Sequence, residues 1–317
     1  VWDESQVMEA SDARNRARKS GKKAHFASVV ELCYEKGSEL PHGDPGRKFK
    51  GRAALLGDQV KDEDFNWAEF QELSAAPAAI GAVKCLDAIG LSPGYVVKRG
   101  DAIGAYIQSY LKSKDTITYV RLPENRWPKH WHGKFRTPVV PLVLALYGHP
   151  ESGGHWEEHC VAAIKPLGYE PVDGWNSVFW HKEKSALLVI YVDDFALGAK
   201  EEHQDGLWAD LKSVIDLGDV TTDGRFLGCN HKTSKAKARD VEELLQNHPG
   251  FYERPGIGKK KRASIMKAGS DSESEKEIQQ WSPDKQIRGS MLDMQDFTDE
   301  CVEPYCRLTG CARGTIK

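Results

Sequence analysis

The residues with the clearest chemical potential are two adjacent aspartates, Asp193 and Asp194. Apolar stretches flank them on both sides, Ala186-Leu187-Leu188-Val189-Ile190-Tyr191-Val192 before and Phe195-Ala196-Leu197 after. Carboxylates held side by side repel, and one of them has its pKa raised unless a cation compensates. A hard divalent cation such as Mg2+ takes carboxylate oxygens and shares itself with phosphate oxygens. An Asp-Asp pair at a solvated turn is ordinary, but these flanks are unusually apolar for one. A third acid, Asp101, follows the apolar run Gly94-Tyr95-Val96-Val97-Lys98. If the two strands are neighbours, three carboxylates converge at one edge of a sheet. That set suits two metals about 3.5–4 Å apart and an in-line displacement at phosphorus.

A second constellation is His155-Trp156-Glu157-Glu158-His159, which fits H-x-x-E-H. Two histidines four apart on a helix share a face and can share zinc, with Glu158 as base. That chemistry needs a further glutamate ligand downstream. The segment at a comparable distance, 232–239, is basic and contains none.

The elements that must position these groups follow from hydrophobic period and turn residues. Residues 4–20 read as a polar helix. Strands are expected at 24–34 and 49–56, either side of a Gly/Pro-rich turn at 37–46. A helix is expected over 70–90, stopped by Gly90. Short strands are expected at 94–98 and 119–122, an apolar run at 139–147 and an amphipathic helix at 156–167. Strands at 177–180, 185–191 and 195–198 follow, then a helix at 203–215 and a last strand at 225–230. The charged stretch 257–290, with its GSDSESEKE run, reads as a linker. A short helix is expected within 291–313. Strands and helices are mixed without βα alternation, which predicts an α+β fold with an antiparallel sheet.

Composition sets outer bounds. The chain has 317 residues, 40% hydrophobic, enough for a substantial core. No run is long enough to cross a bilayer, so no membrane partner is expected. The chain opens on Val1-Trp2-Asp3-Glu4 without an initiator Met or a signal pattern, which suggests a fragment. Seven cysteines without C-x-x-C spacing read as reduced intracellular thiols. The net charge of −3 counts against a nucleic-acid binder. Basic runs at 47–52, 129–136 and 259–262 nevertheless give phosphates places to sit.

At Tyr191-Val192-Asp193-Asp194 the chain resembles the YxDD signature of reverse transcriptases. Further blocks are similar to the copia-type retrotransposon branch and occur in its order. They are Lys50-Gly51-Arg52-Ala53-Ala54-Leu55-Leu56-Gly57, Asp101-Ala102-Ile103-Gly104-Ala105-Tyr106, Ala145-Leu146-Tyr147-Gly148 followed by Trp156, and Phe226-Leu227-Gly228. Ordered blocks are far more specific than a single YxDD. The chain departs from the family pattern at Lys98-Arg99-Gly100 and at His149-Pro150-Glu151, where a cation near the template is lost.

The resemblance implies an RNA-directed DNA polymerase cut from a Pol polyprotein. It implies a fingers–palm fold over 25–232, with an antiparallel palm sheet packed on helices. Around that core lie an N-terminal helical extension (1–24), a partial thumb or connector (233–256), the charged linker (257–290) and a C-terminal helix (291–317). Asp101, Asp193 and Asp194 would hold two Mg2+, with Mn2+ as a substitute and the Ala102 carbonyl assisting. Tyr106 would stack under the incoming sugar and reject a 2′-hydroxyl by clash. Lys50 and Arg52 would reach the triphosphate, Tyr147 and Gly148 would flank nucleotide and template, and Phe226, Leu227 and Gly228 would grip the primer. The implied partners are a primed RNA or DNA template, deoxynucleotides, and flanking RNase H and integrase domains outside this sequence. Two other readings stand beside it: a non-catalytic, transposon-derived nucleic-acid-binding remnant, and the H-x-x-E-H zinc peptidase.

Overall fold

The computed structural model describes residues 1–38, 41–70, 78–111, 116–222, 224–227, 229–241, 284 and 286–315. It is an α+β structure with several largely antiparallel sheets. Contacts divide the chain into two compact units, Val1–Leu86 with Val97–Thr222, and Asp87–Val96 with Asp223–Lys317.

The first unit holds two sheets. One has the order β1-β6-β5-β2-β3, built from β1 (Met8–Glu9), β2 (Lys23–Lys36), β3 (Lys48–Leu55), β5 (Thr116–Arg121) and β6 (Pro138–Pro141). The period of two along each strand sends alternate side chains to opposite faces. Ala24, Phe26, Tyr119 and Val139 pack with Ala13 and Ala17 of helix α1 (Ala10–Ser20). Ala27, Val29, Val120 and Val140 pack instead with Leu55, Trp131, Leu142 and Leu146. The expected helix at 4–20 is therefore only partly helical. Glu4–Gln6 form a 3-10 turn, and Met8 and Glu9 join the sheet edge, pairing with Val139 and Pro138. β2 and β5 run parallel, an exception to the expected antiparallel pattern.

The outer halves of β2 and β3 leave the core. They pair in antiparallel register from Val29↔Leu55 to Lys36↔Lys48 and form an exposed ribbon.

The second sheet has the order β11-β4-β10-β9-β8-β7. Its strands are β4 (Tyr95–Ala102), β7 (Tyr169–Pro171), β8 (Val178–His181), β9 (Ala186–Tyr191), β10 (Asp194–Lys200) and β11 (Leu217–Thr221). β9 and β10 are central, so both their faces are buried, which accounts for their unbroken apolar runs. Ala186, Leu188, Ile190, Phe195, Leu197 and Ala199 pack with Trp156, Cys160 and Ile164 of α3 (Ser152–Ile164). The same core takes Leu207, Trp208 and Leu211 of α4 (Glu201–Val214). Leu188 and Leu197 are fully buried, and burial of a side chain of that size contributes about 1.5–3 kcal/mol. α3 begins earlier than the residue period suggested, because Ser152 caps the preceding turn by exchanging hydrogen bonds with the backbone of Leu146.

The second unit contains β12 (Gly224–Phe226), β13 (Cys229–Lys237) and β14 (Gln286–Asp293), paired in that order as an antiparallel sheet. β14 lies at the end of the stretch expected to be linker. Its partner β13 is long enough to supply a full ladder of backbone hydrogen bonds, which local composition does not register. Helix α5 (Gln295–Thr309) follows, ending at Gly310 in the left-handed region. The helix expected over 70–90 is described as α2 (Ile80–Gly90), and 71–77 lie outside the described residues. Most of 257–290 does too. No described helix is long and apolar enough to cross a membrane.

Candidate metal centre

The site is built on the β9–β10 hairpin. Asp194 pairs with Tyr191, which leaves a two-residue loop of Val192 and Asp193. Val192 has φ +57°, in the left-handed region, and Asp193 is not among the positive-φ residues. A positive φ at the first loop residue alone is the pattern of a type II′ turn, where glycine is usual. A β-branched residue there is strained by about 1–3 kcal/mol. Trp156 of α3 counters this. Its indole Nε1 donates to the Val192 carbonyl at 2.6 Å, from a side chain only 2% exposed. The hairpin tip is thus bolted to the core from below.

β4 lies beside β10, and the N–H of Ala102 donates to the carbonyl of Asp193 at 2.7 Å. This brings Asp101 to the hairpin tip. Oxygens of Asp101, Asp193 and Asp194 all lie within 4.8 Å of one another. Burial raises the Asp194 pKa to about 7, and the charges of Asp193 and Asp101 push it the same way. Burial and Asp193 also raise Asp101, while Lys50 and Lys36 pull it down. The interaction between Asp101 and Asp194 raises the latter and lowers the former, so the cost of crowding three carboxylates falls mainly on Asp194. The donor set, carboxylates from β4, the hairpin loop and the first residue of β10, fits hard divalent ions.

Two tyrosines and basic side chains neighbour the acids. Tyr106 sits on a 3-10 turn (Ala105–Gln108) and its ring centroid lies 4.7 Å from that of Tyr147. Both rings are half-buried, and burial together with Asp193 holds both phenols above their ordinary pKa. The Arg52 guanidinium lies 5.1 Å from the Tyr147 centroid. Gly148 has φ +86°, and a Cβ there would meet the Leu55 carbonyl oxygen at 2.0 Å, so only glycine fits. This close approach lets the Tyr147 carbonyl accept from Leu55 N–H at 2.7 Å, which ties the Tyr147 segment to β3.

The register of β2 and β3 explains where the cations are. Lys48, Lys50 and Arg52 share one strand face, and their cross-strand partners are Lys36, Tyr34 and Leu32. Lys36 was not singled out in the sequence, because only pairing places it beside Lys48. Gln108 was also missed. Its side chain donates to Ile103 O and Asp216 O and accepts from Asp216 N, holding the segment after Asp101 against the residue before β11. No local pattern marks such a clamp. A block match alone had picked out Trp156, without its role at the turn.

Phe226 and Leu227 belong to the second unit, where Phe226 is buried beside His231. Gly228 lies outside the described residues. Among the described residues, the H-x-x-E-H pair gathers no third metal ligand. Among the described residues, the aspartate triad is the group of three that brings its ligand atoms together. His155 is buried with no hydrogen-bond partner for either ring nitrogen among the described residues, and His159 stacks on Trp156. No protein-family model matches this chain, so the reading of the site rests on its own residues.

Proposed function

We propose that this protein is a template-directed nucleotidyltransferase of the reverse-transcriptase kind, adding deoxynucleotides to a primer 3′-hydroxyl. The observation that carries the reading is the meeting of Asp101, Asp193 and Asp194, remote in sequence, within 4.8 Å. The basic face of Lys36, Lys48, Lys50 and Arg52 supports it, since a triphosphate needs cations beside the acids. The paired rings of Tyr106 and Tyr147 support it as well, as a flat wall for a sugar and base.

In this reading the three aspartates hold two Mg2+, or Mn2+ in their place. When bound, such ions lower the pKa of an attacking hydroxyl and stabilise a leaving pyrophosphate. A cation at the site would compete with protonation of Asp194, whose pKa burial raises to about 7. The chain's own residues do the positioning. Arg52 and Lys50 pair with phosphate oxygens, Arg52 through a planar, two-pronged guanidinium. Tyr106 blocks a 2′-hydroxyl by clash. Gly148 lets the backbone approach β3 closely enough to set the Tyr147 ring. Trp156 and Gln108 hold the two acidic segments still, and preorganised charge of this kind supplies much of the rate in phosphoryl transfer. Phe226, Leu227 and Gly228 are the proposed primer contacts.

The test is primer extension on an RNA template with Mg2+. Extension that disappears in Asp193→Asn supports the enzyme. Tight nucleic-acid binding without extension, in a folded protein, would identify the non-catalytic remnant instead.

A further inference from the structure

A cavity of about 360 Å3 opens in the first sheet's unit, away from the residues assigned above. It is lined by Lys23, His25, Asp62, Glu63, Asn66, Trp67 and Glu69. We propose that it binds a small organic cation bearing N–H donors, a primary ammonium or guanidinium on a short stem.

His25 makes the cavity more than an acidic patch. It is 6% exposed, lines the cavity, and its imidazole has no hydrogen bond among the described residues. Its one defined ring neighbour is Phe70, edge-on at 4.7 Å. Its ring nitrogens are not among the fully buried atoms left without a partner, so they are open to the cavity, where a polar ligand can take the place of water. Burial holds His25 below its ordinary pKa, against the pull of Glu151, Glu63 and Asp62. A neutral imidazole has one nitrogen that accepts a proton donor.

The carboxylates are not equally committed. Asp62 is spent on its own loop, accepting from Asp64 N, Asn66 N and the Asn66 side-chain amide. Glu63 uses one oxygen for Ala24 N at 2.9 Å. Glu69 makes no hydrogen bond or ion pair among the described residues, and it is exposed at the rim. The lining itself carries three acids against Lys23, with Arg14 bonded behind Asp62 and Lys61 on Trp67, so its open acceptors, Glu63 and Glu69, favour a cationic occupant. Trp67 adds an indole that already attracts one ammonium, with Lys61 Nζ 3.0 Å from its centroid. Lys61 itself does not line the cavity. A bare metal ion fits less well, because Glu63, Glu69 and His25 do not bring three ligand atoms together as the aspartate triad does. An elongated ligand with several N–H groups reaches an acceptor imidazole, the second Glu63 oxygen and Glu69 at once.

Agmatine, which carries both an ammonium and a guanidinium, is the probe, titrated calorimetrically into the intact protein with Mg2+ present to fill the triad. Binding is expected with a Kd on the order of 100 µM. Glu69→Gln should weaken it roughly tenfold, and Lys23→Gln should tighten it a few-fold by removing the like charge. Both residues are at the rim, and unchanged thermal unfolding checks that the variants fold. Tetramethylammonium, a cation without N–H donors, should not compete. A capped arginine tripeptide that binds more tightly than agmatine would assign the same chemistry to a protein side chain. No binding, binding unchanged in both variants, or equal competition by tetramethylammonium overturns the proposal.

Discussion

Two hairpins of the first unit meet opposite demands. The β9–β10 hairpin turns in two residues, is buried on both faces, and carries its acids at a strained tip pinned by Trp156. The β2–β3 hairpin has a long connection, and its outer half is exposed, with Phe49 77% accessible and Lys48, Lys50 and Arg52 on one face. The acids must stay at fixed separation against their own repulsion, so the core has to hold them. In the proposed reading the cations meet a highly charged ligand, and an exposed ribbon that keeps their long side chains hydrated costs little. Rigid carboxylates and compliant cations are complementary solutions to one electrostatic problem.

The largest break in that comparison is at the rigid end. Asp101→Ala should lower primer extension by about a thousandfold or more while leaving thermal unfolding within a few degrees. Retained extension would remove Asp101 from the site. At the compliant end, Arg52→Ala should raise the KM for deoxynucleotide roughly tenfold and change kcat less, because it would remove the proposed phosphate contact and leave the acids in place. Steady-state kinetics at saturating template separates the two effects.

Trp156→Phe tests the bolt itself. It keeps a ring in the core and leaves the Val192 carbonyl without its donor, at a cost of about 1–3 kcal/mol. Chemical denaturation measures this, and Mn2+ titration should show weaker metal binding in the same variant. A variant with full metal affinity would show that the tip needs no pin.

The smallest effect is the pH dependence of the apo protein. The folded Asp194 pKa of about 7 lies above its ordinary 3.8. The protonated form therefore stabilises the fold, fully below about pH 4, and that contribution fades as pH rises through about 7. Solvent reaches the triad, where Asp101 is exposed, and screens the effect, so a shallow slope is expected in apo unfolding. Asp194→Asn should flatten that slope. Mg2+ affinity should move the opposite way, rising with pH as the proton leaves.

Much of the first unit was legible as pattern. The alternation of Ala24, Phe26, Ala27 and Val29 marks a strand buried on two faces, and the β9 and β10 runs mark central strands. β1 and β14 were not legible, because neither has an apolar period of its own. Each exists by pairing with a longer partner, β6 or β13. The boundary error at 4–20 has the same origin.

By itself the sequence determined which residues carry charge, which runs must be buried, and that two aspartates between apolar strands require compensation. Those are local properties of residue type and period, and they survive any arrangement of the elements. Only the tertiary structure decided that Asp101 joins the pair, that Lys36 belongs with Lys50, and that Trp156 supports a β-branched residue where glycine is usual. Each of these depends on which strands and helices become neighbours. That choice is made by the burial of whole faces and the pairing of backbone groups far apart along the chain.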